Sequence, residues 1–478
     1  MTLADTAGLV TAARTEQIAE VLEQIEQHDL HSVRVSFADV HGVLRGKTLR
    51  ADLIAEAFDD GVGITSALLM KDTGQLNVYP VWAAGGGLDR PWLTGAGDVM
   101  MLPDPSTFRV LPWAPGTGWL LSDVVSPEGD LVEYSTRAIC AQAEAGLAAQ
   151  GLSLRAGLEV EFHLYRIEGD ADSHAVAGAS ASTLDLRHIH PGRVYLGENR
   201  FDLIEPFLEL LRTDLTSLGL TPRSLEVELG PSQVELTFSP GGALEVADQA
   251  VLLRSSVKQI ARRNGLHATF MSRPHFDKSF TSGWHLHQSL IDNDGANAFV
   301  ASDDRAMLSE LGERYLAGLL SHAEESCLLT TPTITGYKRY RSESLAPLRA
   351  AWARQHRGAM LRVIGGNGAP GTRIENRVGD SAANPYLYIA SQIRSGLAGI
   401  DDEAVPPPAT DTPYDEAAGP RLPHTLGDAV EAFRKSDLYR STLGAEFVDY
   451  LAGIKAAEWD RFLGSVTDWE QTEYLDLF

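Results

Sequence analysis

Cysteine is scarce, with two thiols, Cys140 and Cys327, in a chain of 478 residues. Two cannot build a disulfide framework or a zinc knuckle, and both fall in apolar, helix-like text where buried free thiols are expected. Long apolar runs are missing too. No stretch approaches the ~20 apolar residues that a membrane helix needs, and the opening MTLADTAGLVTAARTEQ lacks the basic-then-apolar order of a secretory leader. These absences lead to the expectation of a cytoplasmic protein. Positive charge is the third deficit. Against 65 Asp and Glu there are 40 Lys and Arg, a formal charge of −25 with no basic cluster to offset it, which argues against nucleic acid or anionic membrane as partner. Small anions are still accommodated, because a metal ion and a few arginines make a local cationic pocket inside an acidic protein.

What is present suggests an α+β protein in two parts, residues 1–125 and 126–478. Ile18, Val21, Leu22 and Ile25 recur at helical spacing within 14–28. HSVRVSFADVHGVLRGKTL, residues 31–49, alternates Val33, Val35 and Phe37 before His41-Gly42 and reads as a hairpin. From Gly61 to Gly118 the chain is rich in Gly, Pro and Trp, so short strands and ordered loops are expected, with Trp82, Trp92, Trp113 and Trp119 packed. SPEGD breaks the chain before a helix at 137–150. Further helices are expected at 202–218, 243–263, 305–325, 384–399 and 445–463, and strands within 153–166, 223–238, 267–272, 283–291 and 359–378. Unalternated strands and helices favour α+β over a doubly wound sheet. The Pro-rich, acidic segment 401–424 reads as an exposed loop, and its Tyr414 as an ordinary loop residue.

The chemistry gathers around GLEVEFHLY, residues 157–165, where Glu159 and Glu161 stand two apart among Leu158, Val160 and Phe162. Residues i and i+2 share a strand face, and glutamates are rarely buried without a partner. Alone, the pair also reads as the wet side of an amphipathic strand. The theme recurs, however. SLEVELGPSQVELTF, 224–238, carries Glu228 and Glu235, with Glu226 competing for the first position; SGWHLHQSL, 282–290, carries His285 and His287; TRIENRVGD, 372–380, carries Glu375 and Arg377. Acids and imidazole on successive strands suit Mg²⁺ or Mn²⁺, and two such ions form a phosphoryl-transfer clamp.

GLEVEF, E-x-x-P-x-Q-x-E at 228–235, HLHQSL, TGYKRYR at 335–341 and R-I-E-x-R followed by AANPYL together resemble the glutamine synthetase family over nearly the whole chain, and VSFADVHGVLRGK resembles its small β-grasp domain. The resemblance implies an N-terminal β-grasp domain and a large catalytic domain with an antiparallel sheet flanked by helices. It implies two or three divalent ions between ATP and L-glutamate. Glu161, Glu228 and Glu235 match ligands of the ion nearer glutamate, and Glu159, His285 and Glu375 those of the ion on the ATP phosphates. Arg339 and Arg377 match arginines that hold glutamate carboxylates, Arg357 and Arg362 those that stabilise the phosphoryl group in flight, and His287 a histidine near substrate. It also implies a homo-oligomer, a hexameric ring or stacked dodecamer with sites shared between subunits.

The sequence departs from the family where ammonium is bound. The flap acid just before Ala-Pro is replaced by Leu345, and the latch acid of the N-terminal domain falls at Gly63 or Ile64, with Glu343, Asp59, Asp60 and Asp72 as nearby acids that a shifted alignment would recruit. Without those carboxylates the pocket repels a small cation and accepts carbon. The expected nucleophile is therefore an organic primary monoamine and the expected enzyme a glutamate–amine ligase. The alternatives are an ammonia-dependent glutamine synthetase and a non-catalytic structural or regulatory relative. Phe280 and Thr281 replace the Asn-Gly that meets the glutamate amino group in the family.

Overall fold

Val33, Val35 and Phe37 are buried on one face of β1 (Ser32–Ala38), which turns through His41-Gly42 into β2 (Leu44–Arg50). Asp39 fastens the turn. Its carboxylate accepts from the backbone N–H of His41 and Val43 and pairs with Arg45 at 2.9 Å. Gly42 stands at φ +70°, and a Cβ there would lie 2.5 Å from Nη2 of Arg254. In this computed structural model, which describes residues 1–168, 185–276, 279–303, 305–341 and 344–478, the hairpin joins four more strands. These are β3 (Val62–Thr65), β4 (Asp98–Pro103), β5 (Arg109–Val110) and β6 (Thr117–Val125), in a six-stranded sheet ordered β2-β1-β6-β4-β3 with β5 alongside β6. β1 and β6 run parallel and the other pairs antiparallel, a small mixed sheet consistent with a β-grasp domain. Trp119 is buried and Trp92 and Trp113 pack onto the core, but Trp82 is 79% exposed, contrary to expectation.

The second sheet has nine strands. It comprises β7 (Leu152–Ile167), β8 (Leu186–His188), β9 (Pro222–Val227), β10 (Gln233–Phe238), β11 (Leu266–Thr269), β12 (Trp284–Asp292), β13 (Trp352–Arg354), β14 (Leu361–Ile364) and β15 (Arg373–Asn376), ordered β13-β14-β15-β12-β7-β10-β9 with β8 and β11 also on β7. All pairs but β13–β14 are antiparallel. Leu158, Val160 and Phe162 turn one face of β7 into the core, where helices Thr136–Ala149 and Ala243–Arg263 pack, and helix Pro385–Asp401 packs on both of those. The opposite face, carrying the acids, is left uncovered by those helices.

Most expected helices form, with boundaries corrected by local chemistry. The helix expected from 202 starts at Glu205, with Pro206 in its first turn. The one expected over 305–325 starts at Glu310, capped by the Ser309 hydroxyl, and is interrupted at His322 before Ala323–Thr330. Segment 401–424 is largely irregular and exposed, as expected of a loop, and it is tethered to the sheet. The indole N–H of Trp352 donates to the Pro407 carbonyl at 2.6 Å, Ala350 N–H to that of Pro420 at 2.8 Å, and Leu422 is buried, so the segment straps the outer edge of the sheet.

The two sheets meet across a polar seam. Arg137, at the start of helix Thr136–Ala149, pairs with Asp104 at 2.7 Å and Asp123 at 2.9 Å from the first part and with Asp248 at 2.9 Å from the second. Arg254 donates to the Gly42 carbonyl, Asn384 to those of Asp39 and Val40, and Asp72 pairs with Arg461.

Candidate active site

Strand register makes the acids converge. Pairing sets His285 of β12 opposite Glu159, β10 sets Glu235 opposite Glu161, and β9 sets Glu226 opposite Glu235. Toward the other edge Glu375 of β15 stands opposite His287, and Arg362 of β14 opposite Glu375. Like charges facing each other destabilise a ladder, so the row Glu161, Glu235, Glu226 calls for cations from outside the chain.

On the histidine side the charges answer one another. Glu159 lies 2.6 Å from His285 Nδ1 and 3.0 Å from His287 Nε2. Burial works against its ionised form, but these two imidazoles outweigh it and hold the carboxyl below its ordinary range. Glu375 is fully buried, accepts from Arg362 Nη1 at 2.9 Å and from Arg377, and is likewise held low against burial by Arg377 and the histidines. On the other side Arg339 and Arg377 act on Glu161 only from a distance, and burial and like charge prevail. Burial, then the charge of Glu228, pushes Glu161 up to about 8. Burial and the charges of Glu159, Glu161 and Glu228 push Glu235 to about 11, and Glu228 is raised chiefly by burial.

Among the described residues three groups bring ligand atoms within 4.8 Å of one another: Glu159, His287 and Glu375; Glu159, Glu235 and His285; Glu226, Glu228 and Glu235. The grouping differs from that implied by the resemblance in two respects. His287 joins Glu159 and Glu375, while His285, 3.9 Å from Glu375, also faces Glu235. Glu226, the competing residue, completes the acidic triad, and Glu161 stands outside it, accepting from Gln233 Nε2 at 2.7 Å and Gly283 N–H at 3.2 Å. Gln233, present in the 228–235 motif, and Arg373, whose Nε donates to His287 Nδ1 at 3.2 Å, were given no role from the sequence. Each stands two residues before a glutamate on its own strand, and the two-residue strand period was the signal that would have found them.

Of the arginines, Arg339 is 3% exposed and donates to the Val378 carbonyl, and only a glycine at 283 lets its guanidinium approach, since a Cβ there would lie 2.6 Å from Nη2. Arg377 spans the site. It binds Glu375 with Nη1, the Arg357 carbonyl with Nε at 2.8 Å and the Leu345 carbonyl with Nη2 at 3.4 Å. The Arg357 side chain is exposed, and Arg362 also reaches Gln355. Thr281 offers its carbonyl to Gln233, and Phe280 packs against Gly230.

The residues expected to meet the acceptor differ in exposure. Ile64 is 5% exposed within the chain and points into the core of the small sheet, because β3 alternates in the phase that turns Val62 and Ile64 inward. The outward position is Gly63, and the exposed Asp98 of β4 lies beside it, 3.4 Å from where a Cβ on Gly63 would stand. Asp72 is buried and held by Arg461 at 2.8 Å, and Glu343 lies outside the described residues. Leu345 stands at φ +62° and is 45% exposed, a conformation costing about 1–2 kcal/mol for a side chain with a Cβ. Tyr414 is half-buried with its ring against Gly358, not an exposed loop residue.

The catalytic domain of glutamine synthetase matches residues 133–474. The chain is 40% identical to a gamma-glutamylanilide synthase from an Acinetobacter species, over 98% of each chain, and 31% identical to a glutamate–isopropylamine ligase from a Pseudomonas species, over 97% of this chain and 98% of that one. A solved structure described as a GmaS/ADP complex superposes with a TM-score of 0.80 at 27% identity, over 95% of this chain and 99% of that one. The acid-lined sheet and these matches together place the chain in the glutamine synthetase family, on the branch whose members are named as ligases of organic amines.

Proposed function

We propose that this protein is an ATP-dependent ligase that joins the γ-carboxylate of L-glutamate to an organic primary monoamine through a γ-glutamyl phosphate. The observation that carries the reading is the acid row Glu161, Glu235, Glu226 beside the Glu159–histidine–Glu375 cluster, with an apolar Leu345 at the acceptor end. Enzymes of this family use ATP and divalent metal ions. The residues present fit such ions, taken here as two or three Mg²⁺ or Mn²⁺, because oxygen-rich sets with an imidazole suit them and Glu226, Glu228 and Glu235 form no ion pair among the described residues. Glu159, His285, His287 and Glu375 would hold the phosphate-side ion, and Glu228 and Glu235, with Glu226 and the neighbouring Glu161, the glutamate-side one. When bound, the ions supply neutralisation of charge on the transferring phosphate.

The chain's own residues do the positioning. A cavity of about 980 Å³ bordered by Arg155, Arg223, Arg373, Glu159 and His287 has room for the nucleotide. Arg339 and Arg377 are assigned to the glutamate carboxylates, and Arg357 and Arg362 to the phosphoryl group in transit, where fixed guanidinium forks stabilise developing charge. Assembly into a hexameric ring or stacked dodecamer is supported by an exposed apolar C-terminal tail, including Val466, Trp469, Leu475, Leu477 and Phe478, which asks for a partner surface. No helix among the described residues is long and apolar enough to cross a membrane, and a cytoplasmic setting suits an enzyme that spends ATP.

One observation favours the ammonia-dependent alternative: Asp98 beside Gly63 would offer an acid from the N-terminal part. Phosphate release from ATP with Mg²⁺, glutamate and a panel of ammonia, methylamine, ethanolamine, isopropylamine, putrescine and aniline decides the matter. The expected outcome is activity with an organic monoamine and little with ammonia. Activity with ammonia alone would make the chain a glutamine synthetase, and no ATP binding with Mg²⁺ or Mn²⁺ in calorimetry would remove the ligase reading.

A further inference from the structure

On the side of Arg377 away from Glu375 lies a cavity of about 410 Å³ lined by Leu345, Gln355, His356, Arg357, Gly358 and Tyr414. It adjoins the acid cluster directly, since Arg377 donates at once to Glu375 and to the carbonyls of Leu345 and Arg357 on the cavity wall. Three features set its chemistry. No carboxylate among the described residues lines it, so an alkylammonium would enter without a counter-charge and beside Arg357. Leu345 and Gln355 both hold positive φ, +62° and +59°, and backbone strain of this kind gathers at ligand-binding walls. Gly358 presents bare backbone to Tyr414, because a Cβ would lie 2.8 Å from the ring's Cε2 and 2.9 Å from its hydroxyl. The glycine thus lets the ring lie close to the backbone, and Leu345 supplies the facing aliphatic surface.

We propose that this cavity receives the acceptor and that Tyr414 and Leu345 select an amine with a flat apolar body that is uncharged at neutral pH, an arylamine. Aromatic faces stack offset or edge-on with favourable energy, and apolar surface favours a neutral guest over a cation. The inference rests on the ligase reading. In the transfer step the arylamine lone pair forms the N–C bond at the γ-carbonyl, the C–O bond to phosphate breaks with its electron pair leaving on phosphate, and the amine proton passes to the departing phosphate. No protein carboxylate is required, because the nucleophile arrives unprotonated. Tyr414 acts in this account as a specificity residue on the acceptor ring.

The test compares KM for aniline with KM for hydroxylamine, which captures the same acyl phosphate without an aromatic body, in the full-length protein with ATP, glutamate and Mg²⁺. Tyr414→Ala is expected to raise the aniline-to-hydroxylamine KM ratio about tenfold, and Tyr414→Phe, which keeps the ring, to leave that ratio within about twofold. Leu345→Ala should raise the ratio about threefold, and keeps the test open if Tyr414→Ala does not fold. An unchanged ratio in folded Tyr414→Ala and Leu345→Ala overturns the inference. So does a wild-type enzyme that makes the hydroxamate and no anilide, whereas one that makes neither product overturns the ligase reading itself.

Discussion

Two regions of this molecule gather carboxylates, and they handle them oppositely. At the seam, Arg137 faces Asp104, Asp123 and Asp248, and its cationic form is strongly favoured despite burial. At the site, Glu161, Glu226, Glu228 and Glu235 face one another while the nearby arginines are committed to Glu375 and to backbone carbonyls. The seam closes its ion pairing within the chain, each of the three acids to Arg137, and reads as structure. The site leaves it open, and an uncompensated row of buried acids marks a place where a cation completes the fold's chemistry.

The largest effect that would break this contrast lies at the site. Glu375→Ala should lower glutamate-dependent phosphate release on the order of a thousandfold, comparable to removing a preorganised electrostatic group, and chelation should abolish the wild-type rate reversibly. A variant as fast as wild type would put Glu375 outside the site. Next is the seam, where Arg137→Ala leaves three half-buried aspartates without their ion-pair partner and should cost about 1.5–3 kcal/mol in urea unfolding. Unfolding at the wild-type midpoint would mean that the seam stores no stability.

A third effect distinguishes the regions by pH. Glu161 and Glu235 are raised to about 8 and about 11 from 4.5, so the folded state keeps protons that the unfolded chain has already released. The stability contribution of these groups is therefore present below pH ~4.5 and lost as pH rises through about 8. Metal-free protein should melt lower at pH 8 than at pH 6, the Mn²⁺-induced rise in Tm should grow over the same interval, and Glu235→Gln should flatten both trends. Asp104 has the opposite sign. Although burial opposes it, Arg137 lowers its pKa below 3.8, so its contribution is present above that value and lost as pH falls. A Mn²⁺ shift independent of pH would detach the raised carboxyls from the metal site. The smallest effect is expected at the acceptor end. Leu345→Glu adds an acid where the described wall has none and should raise the ammonia-dependent rate by less than about tenfold, ~1.4 kcal/mol; no rise even alongside an acid at Gly63 would mean that the leucine does not stand in for a base.

The sequence revealed the acids because strand period and burial are local properties. Glu159, Glu161, Glu235 and Glu375 each announce themselves by sitting among Leu, Val and Ile. Which acids lie within reach of one another was not legible, since that depends on cross-strand register, and it is register that sets Glu226 opposite Glu235 and His287 opposite Glu375. The side-chain direction at Ile64 was not legible for a related reason: it is set by the phase of β3, which turns the residue inward. Proline and acid content marked 401–424 as a loop, but its tethering was not legible, because the contacts of Trp352 with Pro407 and of Gly358 with Tyr414 join residues dozens of positions apart.

Arg137 also bears on modularity. A fragment ending near residue 125 would retain Asp104 and Asp123 but lose the guanidinium that neutralises them, together with Asn384, which caps the turn carbonyls of Asp39 and Val40. The remainder would carry Asp248 against an arginine missing two of its three acids. The break visible along the chain is therefore crossed by shared ion pairs, and the expected outcome in calorimetry is a single heat-absorption peak for the two parts.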